Sequence, residues 1–276
     1  MKKIHFDPQT FFSKMPKRLP KKTKKEVLRE FEKETYKKIY KRIKNKKNIS
    51  LTEVERMQAA YAIKSPFVYL NNYYYGTGKE KLKKTLTIYA KTIKPHLKDA
   101  SALVELGAGY GSKIFGLAEL LKVRKIPLYA FELTRSGQKI LEVLSSKLEK
   151  KLLSGFCDLR TGKLAKIKIP QNSIIFTSYA LHYVPNGSLE RVYNFLCDQD
   201  AKSIIHFEPC SIKHKKMTIQ NKLCNKYLKI NNYNSQILDF LQEKERNKQI
   251  DLKVQKNIFG SNPLLPFSII EWRKRY

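Results

Sequence analysis

The segment Val104-Glu105-Leu106-Gly107-Ala108-Gly109-Tyr110-Gly111-Ser112 constrains this chain more than any other. An apolar strand ends on a carboxylate, the backbone turns through closely spaced glycines, and a helix pattern follows. Without a Cβ, the turn can pass close to a ligand where any other residue would collide. The same alternation continues downstream. Apolar runs at 102–106, 127–133, 152–157, 173–177 and 203–207 read as strands, with helical patterns at 112–123, 136–150 and 188–198 between them. Strands separated by crossover helices predict a parallel sheet covered on both faces. The end of the chain differs: residues 252–259 and 267–272 read as two strands joined by a hairpin through 260–266.

The sequence before residue 95 predicts a helical extension. Residues 1–22 are basic and hold Pro8, Pro16 and Pro20, which suits an extended arm. From 24 to 44 apolar residues recur at spacings of three and four, giving an amphipathic helix with a basic outer face; packing on the domain is its simplest reading. Ser50 followed by Glu53 is a capping-box start for a second helix reaching Ser65-Pro66. A third helix covers 79–94 and stops at Pro95. Between them Asn72, Tyr73, Tyr74 and Tyr75 lie beside Gly76 and Gly78, a segment placed to be a lid whose rings and amides contact an acceptor. Residues 213–250 read as helical with a break at Asn231-Asn232.

Composition sets outer limits. The 276 residues, 42% hydrophobic, suffice for one α/β domain with extensions. The four cysteines form no CxxC pair and suit a reducing compartment. No run approaches the ~18 apolar residues of a membrane span, and no apolar leader is visible, so a cytoplasmic protein is expected. Lys and Arg number 56 against 24 Asp and Glu, a net charge of +32 that attracts anions. The excess is mostly Lys spread along the whole chain, so nucleic acid is a possible partner that charge alone does not favour.

Polar residues stand at successive strand ends, where open α/β sheets bind ligands. The spacing at Gly107, Gly109 and Gly111 is GxGxG, and Glu105 would be awkward beside a pyrophosphate; it suits an amino-acid ammonium and a sulfonium. Glu132 ends the second strand, where it can accept ribose hydroxyls. Asp158 ends the third, placed to accept from an adenine amino group. Ser178, Tyr179 and His182 follow the fourth, and Glu208 ends the fifth. With these residues, 102–210 resembles the class I S-adenosylmethionine (SAM)-dependent methyltransferase family, and the terminal hairpin resembles that fold's last two strands. The resemblance implies a Rossmann-like, mostly parallel seven-stranded sheet with a C-terminal antiparallel hairpin, spanning 96–276 behind an N-terminal arm and cap at 1–95. It implies SAM as cofactor, with Glu105, Gly107, Gly109 and Gly111 at the methionine end, Glu132 on ribose and Asp158 at adenine. The tail from Gly260 to Trp272 is similar to Asn-Pro-containing hairpins of bacterial sugar O-methyltransferases.

The acceptor is expected to be a saccharide or another small molecule, anionic or neutral, methylated on oxygen. Such a reaction needs a general base: His182 is the first candidate, with Glu208 and Tyr179 beside it. No Asn/Asp-Pro-Pro-Tyr turn supports amine methylation. Cys210 lacks the second cysteine of cytosine C5 chemistry and reads as structural. His206 reads as a satisfied core histidine. His206, Cys210, His214 and Cys224 do not make a convincing metal site, so no metal is expected. Two alternatives stay open: an RNA methyltransferase, and a non-catalytic SAM-fold subunit completed by a partner.

Overall fold

The computed structural model describes residues 2–13, 24–57, 61–122, 126–148, 151–165, 167–211 and 217–275. The stretch of the arm that holds Pro16 and Pro20 lies outside these residues, as does His214.

The expected alternation is present. Strands β1 (Lys2–Lys3), β2 (Ser65–Tyr69), β3 (Asn72–Gly76), β4 (Leu103–Leu106), β5 (Leu128–Glu132), β6 (Leu152–Asp158), β7 (Lys163–Ala165), β8 (Ile174–Ser178), β9 (Ser203–Glu208), β10 (Ile250–Gly260) and β11 (Phe267–Lys274) form one sheet. Its order is β1-β3-β2-β10-β11-β9-β8-β4-β5-β6-β7. β6, β5, β4, β8 and β9 are parallel neighbours, and β11 joins β9 antiparallel, so the terminal hairpin completes the sheet through its centre. The expected seven strands are all there. Four more extend the edges among the described residues: β7 beside β6, and β2, β3 and β1 beyond β10.

Helices α1 (Pro8–Ser13), α2 (Lys24–Leu28), α3 (Lys37–Ile43), α4 (Leu51–Arg56), α5 (Gly78–Ile93), α6 (Ser112–Leu120), α7 (Arg135–Lys147), α8 (Leu189–Cys197), α9 (Ile219–Ile230) and α10 (Ile237–Arg246) cover the two faces. Between α2 and α3 the backbone widens into a π-helical stretch, Arg29–Tyr36. One core lies under α5, α6 and α7, where Tyr89, Phe115, Leu141 and Phe176 are buried. The other lies under α8 and α10, with Trp272, Leu196 and Leu241. A sheet apolar on both faces must be covered on both faces, which is why the central strands read as unbroken apolar runs.

Two expectations for the N-terminal extension are corrected. The second helix keeps its capping box, Ser50 with Glu53, but α4 ends at Arg56, and Ser65-Pro66 opens a strand instead of closing a helix. The tyrosine segment is no lid. Asn72, Tyr73, Tyr74 and Tyr75 belong to β3, hairpinned with β2 around Leu70 and Asn71, both at positive φ (47° and 61°). Strand periodicity then sorts the rings. Tyr74 stacks on buried Phe67 at 5.4 Å, while Tyr73 contacts Phe6 at 4.6 Å and donates to Gln220 on α9.

Candidate active site

The glycine turn follows from local sterics. Gly107 (φ +74°) and Gly109 (φ +59°) both have backbone that L side chains rarely adopt. A Cβ on Gly107 would stand 2.5 Å from the Ala180 Cβ, and one on Gly109 would stand 2.6 Å from the Tyr36 hydroxyl. The turn therefore threads between the loop after β8 and the N-terminal segment. It opens α6 without a side-chain cap from Gly111; Glu105 accepts the Ile114 N–H at 3.0 Å instead.

Carboxylates stand at the strand tips as expected. Glu132 accepts the Gly109 N–H at 2.9 Å through Oε2, and the Thr134 N–H (3.0 Å) and hydroxyl (2.8 Å) through Oε1. The same carboxylate borders the cavity. Burial raises the carboxyl of Glu132 despite these bonds, and burial pushes that of Glu105 up to about 8. Asp158 borders the same space, but its carboxylate is held by the Arg160 guanidinium at 2.7 and 2.6 Å. What faces the cavity there is an ion pair, where the resemblance implied a free acceptor.

These groups line a cavity of about 590 Å³, which continues past Ser178, Tyr179 and His182 to Tyr233 and Leu265. The volume lies in the range that encloses a drug-sized ligand. The loop after β8 is shaped by Glu208, whose carboxylate accepts the N–H groups of Ala180 (2.8 Å), Leu181 (3.0 Å) and His182 (3.4 Å) and faces His182 Nδ1 at 3.4 Å. Burial alone would raise the carboxyl of Glu208, yet His182 and those N–H groups hold it below the ordinary value. Glu208 is 0% exposed and is not among the residues that border the cavity, whereas His182 is. Tyr179 sits at φ +52° and gives its hydroxyl to the Leu265 carbonyl at 3.0 Å. Ser178 borders the cavity and pairs with the Tyr89 hydroxyl at 2.7 Å.

Three other expectations can be placed. His206 is buried between Thr177 (3.0 Å) and the Trp272 indole N–H (2.9 Å); burial lowers it to about 4, a neutral core histidine. Cys210 is buried against Ser268 at 3.1 Å and pushed by burial up to about 11, an inert thiol. Asn72, Tyr73, Tyr74 and Tyr75 do not border the cavity. Its cover comes instead from Val27, Phe31 and Tyr36 of the N-terminal segment. That segment is fastened where Glu32 accepts the Ser136 N–H (2.9 Å) and hydroxyl (2.6 Å) at the start of α7. Sequence reasoning missed Phe31, Tyr36, Tyr183 and Tyr233. The first two stood in plain view on the apolar stripe of the 24–44 helix.

The central strand order β6-β5-β4-β8-β9-β11-β10, with only β11 running against the rest, decides the fold. This is the fold of the class I SAM-dependent methyltransferases. The chain is similar to magnesium protoporphyrin IX methyltransferase from Synechocystis PCC 6803 with bound SAH (TM-score 0.54, 11% identity, 91% of this chain and 100% of that one). It is also similar to the mitomycin 7-O-methyltransferase (TM-score 0.51, 12% identity, 72% of this chain), of whose length it spans 55%. A third similar structure is geranyl diphosphate C-methyltransferase from Streptomyces coelicolor A3(2) (TM-score 0.50, 10% identity, 71% and 82%). No protein-family model and no curated protein sequence matches the chain. Within the methyltransferase fold, the cavity lies at the C-terminal ends of the parallel strands, the ligand crevice of such sheets.

Proposed function

We propose that the protein is a SAM-dependent methyltransferase acting on a hydroxyl of a small acceptor. One observation carries this reading: the glycine turn at Gly107 and Gly109, flanked by the buried carboxylates Glu105 and Glu132, opens into the same cavity as His182. SAM, when bound, supplies a methyl group already activated on a sulfonium. The residues fit it: the turn is a cradle that a Cβ would fill, Glu105 is a buried carboxyl suited to a cationic ammonium, and the Glu132 carboxylate borders the cavity where a ribose would lie. Arg160 in its pair with Asp158 borders the adenine end.

The protein then has to orient the acceptor, keep water out and take up a proton. The cover of Phe31 and Tyr36 serves the first two tasks. His182 serves the third, held by Glu208. The saccharide expectation leaned on Tyr73, Tyr74 and Tyr75, which lie elsewhere, and on the short similarity of the tail from Gly260 to Trp272, so the acceptor is proposed as a small molecule without that detail. Ultraviolet cross-linking of methyl-labelled SAM should label the chain saturably and be competed by excess SAH; labelling that does not saturate contradicts the reading. An RNA acceptor is a second reading resting on the net charge of +32. Methyl incorporation into RNA, with affinity falling steeply with salt, would favour it.

A further inference from the structure

We infer that the acceptor is an uncharged, flat aromatic molecule methylated at a phenolic hydroxyl, an inference that rests on the methyl-transfer reading and concerns only the far half of the cavity. Charge is the first reason. The charged residues bordering the cavity, Glu105, Lys113, Glu132, Asp158 and Arg160, all stand at the ends of β4, β5 and β6 or in the first turn of α6. Beyond His182 the described lining holds no Lys, Arg, Asp or Glu. In a chain of net charge +32, an anionic acceptor would still find no cation in the described lining there, and burying an unpaired charge is costly.

Shape is the second reason. Phe31 meets Tyr183 at 5.5 Å, His182 meets Tyr183 at 4.0 Å and Tyr233 at 4.6 Å, so ring faces and edges wall the chamber. A flat π-system is the natural complement of such a wall. A saccharide would need free amides and hydroxyls. Of the three asparagines that border the cavity, Asn186 and Asn232 are exposed at its rim and the buried one, Asn234, is already committed, donating to the Val184 carbonyl at 3.0 Å and accepting the Gln236 N–H at 2.9 Å.

Proton affinity is the third. His182 Nδ1 faces Glu208, and its Nε2 has no hydrogen-bond partner among the described residues. A histidine takes a proton far more readily from a phenol, with a pKa of about 10, than from an alcohol closer to water's ~15.7. In the step, the phenol oxygen bonds to the methyl carbon as the carbon–sulfur bond breaks, its electron pair returns to sulfur, and the phenol proton goes to His182 Nε2. The products are the aryl methyl ether, SAH and a protonated His182.

The test uses the full chain loaded with SAH and titrated with 2,3-dihydroxynaphthalene, methyl glucoside and uridine monophosphate. The naphthalene diol should bind tighter than about 1 mM. Phe31→Leu should weaken it about fivefold, the scale of one ring contact, with SAH affinity unchanged. With SAM it should gain one methyl group, and His182→Gln should bind it without methylating it. If SAH binds but the diol is neither bound nor methylated, or the glucoside or nucleotide is preferred, the aromatic acceptor is overturned and the methyl-transfer reading stands. If SAH does not bind, that reading fails first.

Discussion

At Glu105 the burial that fixes the side chain under the glycine turn also raises its carboxyl to about 8, so the empty protein carries it mostly protonated at neutral pH. A cationic ligand needs the carboxylate, so binding must release a proton. Cofactor affinity should therefore fall roughly tenfold per unit below pH 8, measurable by calorimetry in buffers of different ionisation heat. The folded state also binds more protons here than the unfolded chain between the ordinary carboxyl value and about 8, so this group's contribution to stability declines as pH rises through that window. Glu105→Gln keeps an acceptor for Ile114 and removes the burden. It should stabilise the empty protein at pH 8.5 by roughly 2–4 kcal/mol in thermal unfolding while weakening cofactor binding. His206 has the opposite sign. Lowered to about 4, it costs stability as pH falls below its ordinary value, and His206→Gln should flatten that acid limb.

On the scale of elements, the glycine turn and the N-terminal segment are one unit, because Gly109 leaves room for the Tyr36 hydroxyl and Glu32 holds Ser136. Gly109→Ala adds both a strained φ and a 2.6 Å contact, and should destabilise the protein by roughly 1–3 kcal/mol in denaturant unfolding. Combining it with Tyr36→Phe should restore only part, since the backbone strain remains. The parallel strands were legible because each is a short apolar run bounded by turn residues, with a carboxylate ending β5, β6 and β9, and the terminal hairpin because two strand-like runs flank the turn at 260–266. The hairpin β2–β3 was not. Its turn residues Leu70 and Asn71 take positive φ without a glycine, so the usual two-residue hairpin signal is missing. The cover was hidden for another reason: one apolar stripe on residues 24–44 serves both the core, through Ile39 and Ile43, and the cavity, through Phe31 and Tyr36. Periodicity identifies an apolar face but not what that face meets.

Over the whole molecule, the net charge of +32 and a far chamber whose described lining is uncharged pull the functional reading in different directions. Surface lysines act through a screened field, whereas the chamber acts by contact. Turnover of a neutral acceptor should therefore change less than about twofold between 50 and 500 mM salt, while any RNA binding by the same protein should fall steeply. A strong salt dependence of methyl transfer would instead tie catalysis to the basic surface. Among the described residues no helix is long and apolar enough to cross a membrane.

The central claim is that the crevice at the ends of β4 and β5 holds the methyl donor, and Glu132 is its most exposed point to test. Calorimetric titration with SAH should give one site in the wild-type chain and a loss of roughly 1–3 kcal/mol, about 5- to 150-fold in Kd, for Glu132→Ala, because the change removes charged acceptors for the ribose. Absence of binding to the wild type, or equal affinity in the two proteins, would contradict the account.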